Sequence, residues 1–377
     1  MKNILKHAFK HTARNKQKIR SASRTADRWL ILGIVILSLF GVLMVYDSSV
    51  AIAIRDFSDQ YYYVREQLKW LLVGGVVSVI FSKIRYSTWY RFAIPFLLGT
   101  MALLLVVFVP GIGVRALGAH RWINFGFFIL QPAELTKLVM ILYLAAWFTN
   151  PEKGRFLAFI LFIAMTVGLV LLEPDLGTSL IILLIGLLLY FFSGAPLRHF
   201  FFLIPVAMFA VGLLAIIAPY RMQRLTTFVN PSSDPLGSSY QIRQVLIALG
   251  SGGLTGVGIG KSRQKYDYLP EANTDSIFAI IGEEVGFVGA LATIGMFIFI
   301  IWRGFRIAVH APDVFSRLLA LGISSWIAIQ TLINLGAMVR IVPLTGVPLP
   351  FVSYGGSSLI ILFAAIGMLL NISTYSI

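Results

Sequence analysis

The stretch "YLPEANTDSIFAIIGEEVGFVGALATIGMFIFIIW", Tyr268 to Trp302, decides the fold class. From Ser276 to Trp302 it stays apolar for longer than the roughly 20 residues a helix needs to cross a bilayer. Yet Glu271 and Asp275 stand at its head, Asp267 lies just before it, and Glu283 and Glu284 lie inside it. Ionised carboxylates are costly at membrane depth, so acids kept there serve capping, a buried pairing or chemistry.

Similar apolar runs occur along the rest of the chain, at about 29–47, 66–82, 90–109, 132–149, 156–173, 175–193, 200–219, 316–337 and 357–373. Of 377 residues, 58% are hydrophobic and only 12% charged, against about 45–50% and about 25% in soluble domains. The expected fold class is therefore all-α: a polytopic integral membrane protein with ten transmembrane helices. Residues 1–28 read as a basic cytoplasmic tail and 29–377 as the transmembrane domain, with a long loop, about 220–275, between helices 7 and 8. The first run follows a 28-residue segment, longer than a signal-peptide n-region, and is expected to be retained. Cysteine is absent, which excludes disulfide and thiolate chemistry.

The formal net charge is +15. A nucleic-acid partner would account for it, but topology does so better. With ten spans and the amino terminus inside, the tail and the short inner connections carry the whole excess, and the remaining charges cancel. That is the positive-inside pattern; it puts both termini in the cytoplasm, and no nucleic acid is expected as a partner.

Span parity then puts the unusual polar motifs on the outer face: "GAHRWINFGFFILQPAELTK" (118–137), "EPDLGTS" (173–179), segment 220–275 and "VPLTGVPLPFVSYGGSS" (342–358). ATP and nucleotide sugars are cytoplasmic, so an enzyme working there needs a substrate already activated, such as a lipid pyrophosphate. A transporter places its polar groups near the midplane instead. The Gly-rich "GSGGLTGVGIGKS" (250–262) fails as a phosphate loop, because Thr255 stands where the first glycine belongs. It reads as a flexible turn after "SYQIRQVLIALG" (239–250), a segment suited to the interface plane.

In "QPAELTK", Pro132 suits the first helical position and Glu134 favours the helix dipole, whereas Lys137 opposes it. Either Lys137 pairs with Glu134, or Lys137, Arg121 and the helix terminus receive an anion such as pyrophosphate; the defied dipole favours the second. "EPDLGTS" repeats the design, with Glu173 at the cap, Pro174 at the first helical position and Asp175 in the first turn; capping explains both acids, or they orient a cation at the site. Asn273, Thr274 and Asp275 compete for one cap, which leaves Asp275 available as a general base whose pKa desolvation would raise. Glu283, about 12 Å further along the helix, and Glu284 call for a basic partner or form a buried structural pair. The Pro-rich run 343–350 cannot be helical and is expected to be buried or to line a cavity. Ser357 or Ser358 caps the last helix, and Arg340 is an anion ligand or an interfacial charge.

These motifs, in this order from about residue 29 onward, resemble the SEDS (shape, elongation, division and sporulation) family of peptidoglycan polymerases. "GVGIGKSRQKYDYLPEANTD" is more similar to its division branch than to its elongation branch. The resemblance implies a ten-helix glycosyltransferase of the bacterial cytoplasmic (inner) membrane that polymerises lipid II on the outer face. It implies undecaprenyl-pyrophosphate-linked glycan as the donor, a class B penicillin-binding transpeptidase as partner, and contacts with other divisome or elongasome membrane proteins. The family's catalytic Asp falls on Asp275, its Arg-Trp-Ile arginine on Arg121, its motif Glu and Lys on Glu134 and Lys137, and its Pro-Asp-Leu-Gly acid on Asp175. The site expected from these readings is Asp275 as base and Arg121, Glu134, Lys137, Asp175, Arg243 and Arg340 around substrate and pyrophosphate. Thr274, Glu283, Ser357 and Ser358 support it. No cofactor is fixed by a motif; a divalent cation (Mg2+ or Mn2+) is a candidate aid to the pyrophosphate. This chain departs from the family at Asn273 and Ser276, where His and Phe are usual, and at Ala133 and Glu173, where Ser and Gln are usual. The alternative functions are a lipid II flippase and an elongation-type polymerase.

Overall fold

The computed structural model describes residues 25–116, 119–126, 128–150, 154–217, 222, 226–228, 238–266 and 268–376. Most of the basic tail, Glu152 and Lys153, part of the 220–275 segment and Asp267 lie outside the described residues. The helices are α1 (Arg28–Phe57), α2 (Tyr62–Lys83), α3 (Tyr86–Val106), α4 (Pro132–Phe148), α5 (Arg155–Leu172), α6 (Leu176–Phe192), α7 (Leu197–Ile217), α8 (Ser238–Ser251), α9 (Ile277–Val309), α10 (Val314–Met338) and α11 (Gly356–Ser373). Each apolar run of the sequence falls on one of them. Among the described residues, α1, α3, α5, α9, α10 and α11 are long and apolar enough to cross a membrane.

Local chemistry starts these helices where the sequence suggests. Asp27 caps α1 by accepting from Leu30 N, and Asp313 forms a capping box with Ser316 at the head of α10. Pro132 opens α4, with Glu134 in its first turn. At the head of α11, however, Gly355 is the N-cap and makes no side-chain cap, so the expectation that Ser357 or Ser358 caps this helix is corrected. The next residue, Gly356, leaves room for Trp70, whose ring would be 2.8 Å from a Cβ there.

The bundle is built around α4, α10 and α11, which are buried along most of their length. Asn371 on α11 accepts from Tyr86 N (2.7 Å) and donates to Ser82 O (2.7 Å), so one amide joins three helices. The peripheral helices α1, α3, α5 and α7 turn leucine, isoleucine and phenylalanine outward, as an apolar surrounding requires.

Two departures from the expected all-α fold bear on function. Three segments, β1 (Gly113–Ala116), β2 (Ala119–Asn124) and β3 (Ile129–Leu130), form a three-stranded antiparallel sheet in that order. The sheet leads directly into Pro132. The run 276–302 is also not one straight helix, because α9 breaks at Gly286 (φ 71°, ψ −169°). That break frees backbone groups, and the Gly-rich segment satisfies them. Val257 N donates to Glu283 O and Gly258 N to Glu284 O (3.0 Å each), while Phe287 N donates to Gly253 O (2.9 Å) and Val288 N to Leu254 O (3.2 Å). A Cβ at Gly256 would lie 2.0 Å from Glu284 O, so only glycine permits this approach. Residues 252–262 are therefore a strap packed backbone to backbone along the broken helix, not a flexible turn.

Candidate active site

Asp275 sits immediately before the buried first half of α9 and is itself only 7% exposed. The N-cap position belongs to Ser276, so Asp275 does not cap the helix. Its Oδ1 accepts from Ser276 Oγ (3.3 Å), which in turn accepts from Gln241 Nε2 of α8 (3.0 Å). On the other side Gly346 faces the carboxylate, since a Cβ there would stand 3.9 Å from Oδ2. Asn334 of α10 uses both hydrogens of one amide nitrogen, donating to Asp275 O and to Val347 O at 2.8 Å each.

One turn of α10 away, a second group of polar side chains continues the network. Lys137 is fully buried, and its Nζ donates to Glu134 Oε1 (2.7 Å) and Gln330 Oε1 (2.9 Å) while lying 5.0 Å from the centre of the Trp326 ring. Trp326 Nε1 donates to the same Gln330 oxygen (2.7 Å), and Gln330 Nε2 donates to Pro348 O (2.9 Å). The expectation that Lys137 opens onto an anion is thus revised. Its charge is balanced by Glu134 and its donors point inward, so it braces Gln330 and through it the 347–350 segment. The Pro-rich run is non-helical and partly buried, as expected, and Ser353 ties it to the Asp275 loop by donating to Thr274 O (2.5 Å).

The "EPDLGTS" motif reaches the same segment from another side. Asp175 caps α6, accepting from Thr178 N (3.0 Å) and Thr178 Oγ1 (2.9 Å), and also accepts from Gln131 Nε2 (3.0 Å). The expectation that Glu173 caps this helix with Asp175 in its first turn is corrected: Glu173 closes α5, the helix starts only at Leu176, and Asp175 anchors both α6 and the residue preceding α4. A Cβ at Gly177 would be 2.7 Å from Thr345 O, so α6 packs directly on residues 345–347. Arg121, on β2, donates from Nε to Glu173 O (3.0 Å) and from Nη2 to Pro174 O, tying the sheet to this turn. Glu173 is wholly buried, and both of its carboxylate oxygens lack a hydrogen-bond partner among the described residues. Burial, reinforced by the nearby Asp175 charge and only partly offset by Arg121, pushes its pKa up to about 8.

The remaining expected residues lie at the margins. Arg340 donates to Phe228 O (2.8 Å), and Arg243 is exposed on α8, two residues from Gln241. Thr274 Oγ1 donates to Glu271 Oε2 (2.8 Å), and Ser358 lines a small cavity under residues 348–355 with Gln330 and Tyr354, next to the half-buried Ser357. Glu283 does not point into this cluster: it accepts from Arg263 N (3.2 Å) and from Ser262 Oγ, and so holds the strap. Sequence reasoning missed Gln241, Gln330, Asn334 and Ser353. Trp326, Gln330 and Asn334 recur every four residues in "WIAIQTLIN", a polar stripe on one face of an apolar helix that was there to be read.

A family model described as "Cell cycle protein", covering FtsW, RodA and SpoVE, matches residues 28–377. The chain belongs to the FtsW/RodA/SpoVE family. It is 39% identical over 356 residues to "Stage V sporulation protein E" of Bacillus subtilis (strain 168), covering 93% of this chain and 97% of that protein. It is 40% identical over 353 residues to "Probable peptidoglycan glycosyltransferase FtsW" of Trichlorobacter lovleyi, covering 92% and 93%. Its fold is similar to a chain in a structure described as "Structural coordination of polymerization and crosslinking by a peptidoglycan synthase complex" (TM-score 0.75, 27% identity, 92% and 97% covered). It is also similar to the rod shape determining protein RodA of Thermus thermophilus (TM-score 0.69, 27% identity, 92% and 96% covered). The motif segments that residues 345–353 tie together all lie inside the family match.

Proposed function

We infer that this member of the FtsW/RodA/SpoVE family is a peptidoglycan glycosyltransferase that polymerises lipid II into glycan strands. The observation that carries the reading is that residues 345–353 join the motif segments 119–137, 173–179 and 268–276, with the buried acid Asp275 facing Gly346 of that run. In the reaction, the 4-hydroxyl oxygen of the acceptor sugar attacks the anomeric carbon of the lipid-linked chain. The bond from that carbon to the pyrophosphate oxygen breaks with inversion, and undecaprenyl pyrophosphate leaves with the bonding electron pair. Asp275 takes the hydroxyl proton.

Arg121, Arg243 and Arg340 are the cations assigned to the departing pyrophosphate, where fixed positive charge stabilises developing negative charge. Glu134 and Lys137 act through Gln330 and Pro348, Asp175 acts through the α6 turn, and Thr274, Ser357 and Ser358 act as polar supports. Among the described residues no group of three or more histidine or acidic side chains could hold a metal, so no step is assigned to a divalent cation.

The topology proposed with this mechanism has ten spans in the bacterial cytoplasmic membrane, both termini inside and Asp275 facing out. A basic tail, 1–28, precedes the membrane domain, 29–377. A class B penicillin-binding transpeptidase is the proposed partner, in keeping with the synthase complex that the fold resembles. Cell division is the proposed setting. The test mixes the purified protein and that partner with lipid II in detergent and reads glycan polymer on a gel. Asp275→Ala is expected to abolish product. Near-normal polymerisation by this variant would remove Asp275 as the base, and absence of product from the unaltered protein would favour a flippase, because detergent abolishes the two sides.

A further inference from the structure

Away from Asp275, a second group of charges is buried where the strap meets α1 and α9. Lys265 is 4% exposed, Asp47 7%, Glu283 3% and Glu284 1%. Lys265 Nζ donates to Asp47 Oδ1 of α1 (2.7 Å) and to Glu284 Oε1 of α9 (3.0 Å). Glu284 also accepts from Gly260 N (3.1 Å) and Ser262 N (3.0 Å), and Glu283 accepts from Arg263 N and Ser262 Oγ. One lysine thus links three parts of the chain that are far apart in sequence. Such pairs contribute little net stability, because desolvation offsets the Coulomb gain, so their presence points to a need for one fixed geometry.

That geometry leads to Asp275 by two routes. Glu283 and Glu284 end the first half of α9, in which every residue from Ile277 to Glu284 is buried. This short piece, cut off from the rest of α9 by the Gly286 break, is fastened at its far end by the strap and carries Asp275 and Ser276 at its near end. Along the chain, Leu269 N donates to Gln264 O (2.9 Å), and Thr274 N and Ser276 N both donate to Glu271 O (3.1 Å each). The chain between Lys265 and Asp275 is therefore held at Lys265, at Leu269 and at the Glu271 turn that precedes α9.

We propose that Lys265 is a positioning residue for glycosyl transfer: by bridging Asp47 and Glu284 it sets the register of the strap and the short α9 segment, and so the place of Asp275. This rests on the functional reading given above. It assigns Lys265, Asp47 and Glu284 no contact with substrate; they act through the backbone that carries the base.

The test uses the full-length protein with its transpeptidase partner and lipid II. Lys265→Met keeps the volume and removes the charge. It is expected to lower kcat by on the order of ten- to hundredfold, the range that a misplacement of about 1 Å costs, with KM for lipid II little changed. The same variant leaves two buried acids without their cation and will lower the melting temperature. The triple variant Lys265→Met, Asp47→Asn, Glu284→Gln removes those charges, so the melting temperature is expected to recover while kcat stays low. Recovery of kcat together with the melting temperature would reduce the bridge to a stability element and overturn the proposal. So would wild-type kcat in Lys265→Met. Hydrogen–deuterium exchange supplies a reading independent of activity: residues 268–285 are expected to exchange faster in the triple variant, with 314–338 unchanged. Unchanged exchange at 268–285 also overturns the proposal. If the unaltered protein made no polymer, the functional reading would fall, and the exchange comparison would still decide the positioning role.

Discussion

Asn334→Ala is the most direct probe of how Asp275 is held. The wild-type amide nitrogen donates to Asp275 O and Val347 O at 2.8 Å each, from a side chain that is 1% exposed. Removing it deletes two buried hydrogen bonds, each worth about 1 kcal/mol net, with a further desolvation cost where a carbonyl is left unpaired. The Asn334 Oδ1 has no partner among the described residues, so its loss returns part of this, and a net cost of about 2 kcal/mol remains. If that cost falls on the geometry of the base in the transition state, the rate drops roughly thirtyfold, since about 1.4 kcal/mol is tenfold. The assay is the initial rate of polymer formation from lipid II, with a melting curve on the same sample. Asn334→Asp is expected to be worse than Ala, because it offers no donor and sets a carboxylate against two carbonyl oxygens. Equal rates and equal melting temperatures for Asn334→Ala and wild type would refute the claim that this amide holds the site together.

Three further outcomes follow from the geometry. Lys137→Met leaves Glu134 buried without its cation, at a cost of about 3–5 kcal/mol; adding Glu134→Gln should recover much of the melting temperature, whereas a direct anion-binding role predicts a raised KM for lipid II that the second change does not repair. Glu173 holds its proton in the fold up to about pH 8, against an ordinary value of 4.5. Between those values the folded state binds the extra proton, so stability falls as pH rises, by up to about 1.4 kcal/mol per pH unit; melting of Glu173→Gln against wild type across that window should show a gap that widens with pH, and a constant gap would disprove the protonated state. Gly252→Ala would put a Cβ 2.0 Å from Gly282 O, so this variant should melt lower than wild type, while alanine at Gly250, where a Cβ meets nothing within 4 Å, should not.

Periodicity and composition alone determined the helical membrane class and the approximate place of each long helix, because a bilayer demands long apolar segments with internally paired backbones. Residue types at helix starts also pointed to capping within Glu173–Asp175 and to the pairing open to Glu134 and Lys137, since these are local interactions of i,i+3 reach, although the fold put the cap on Asp175 and not on Glu173. Other features needed the tertiary structure. "GSGGLTGVGIGKS" has the composition of a loose turn, yet its glycines exist for close contact with a helix break more than twenty residues away. Whether Lys137 faces an anion or the interior depends on Gln330 and Trp326, which are nearly two hundred positions distant. Likewise, Glu283 and Glu284 are unexplained acids in the linear chain and become anchors only once Lys265 and the strap fold back on them. A sequence records what each residue can bond; which partner it meets across the bundle is fixed only when distant segments pack and every buried polar group must be satisfied.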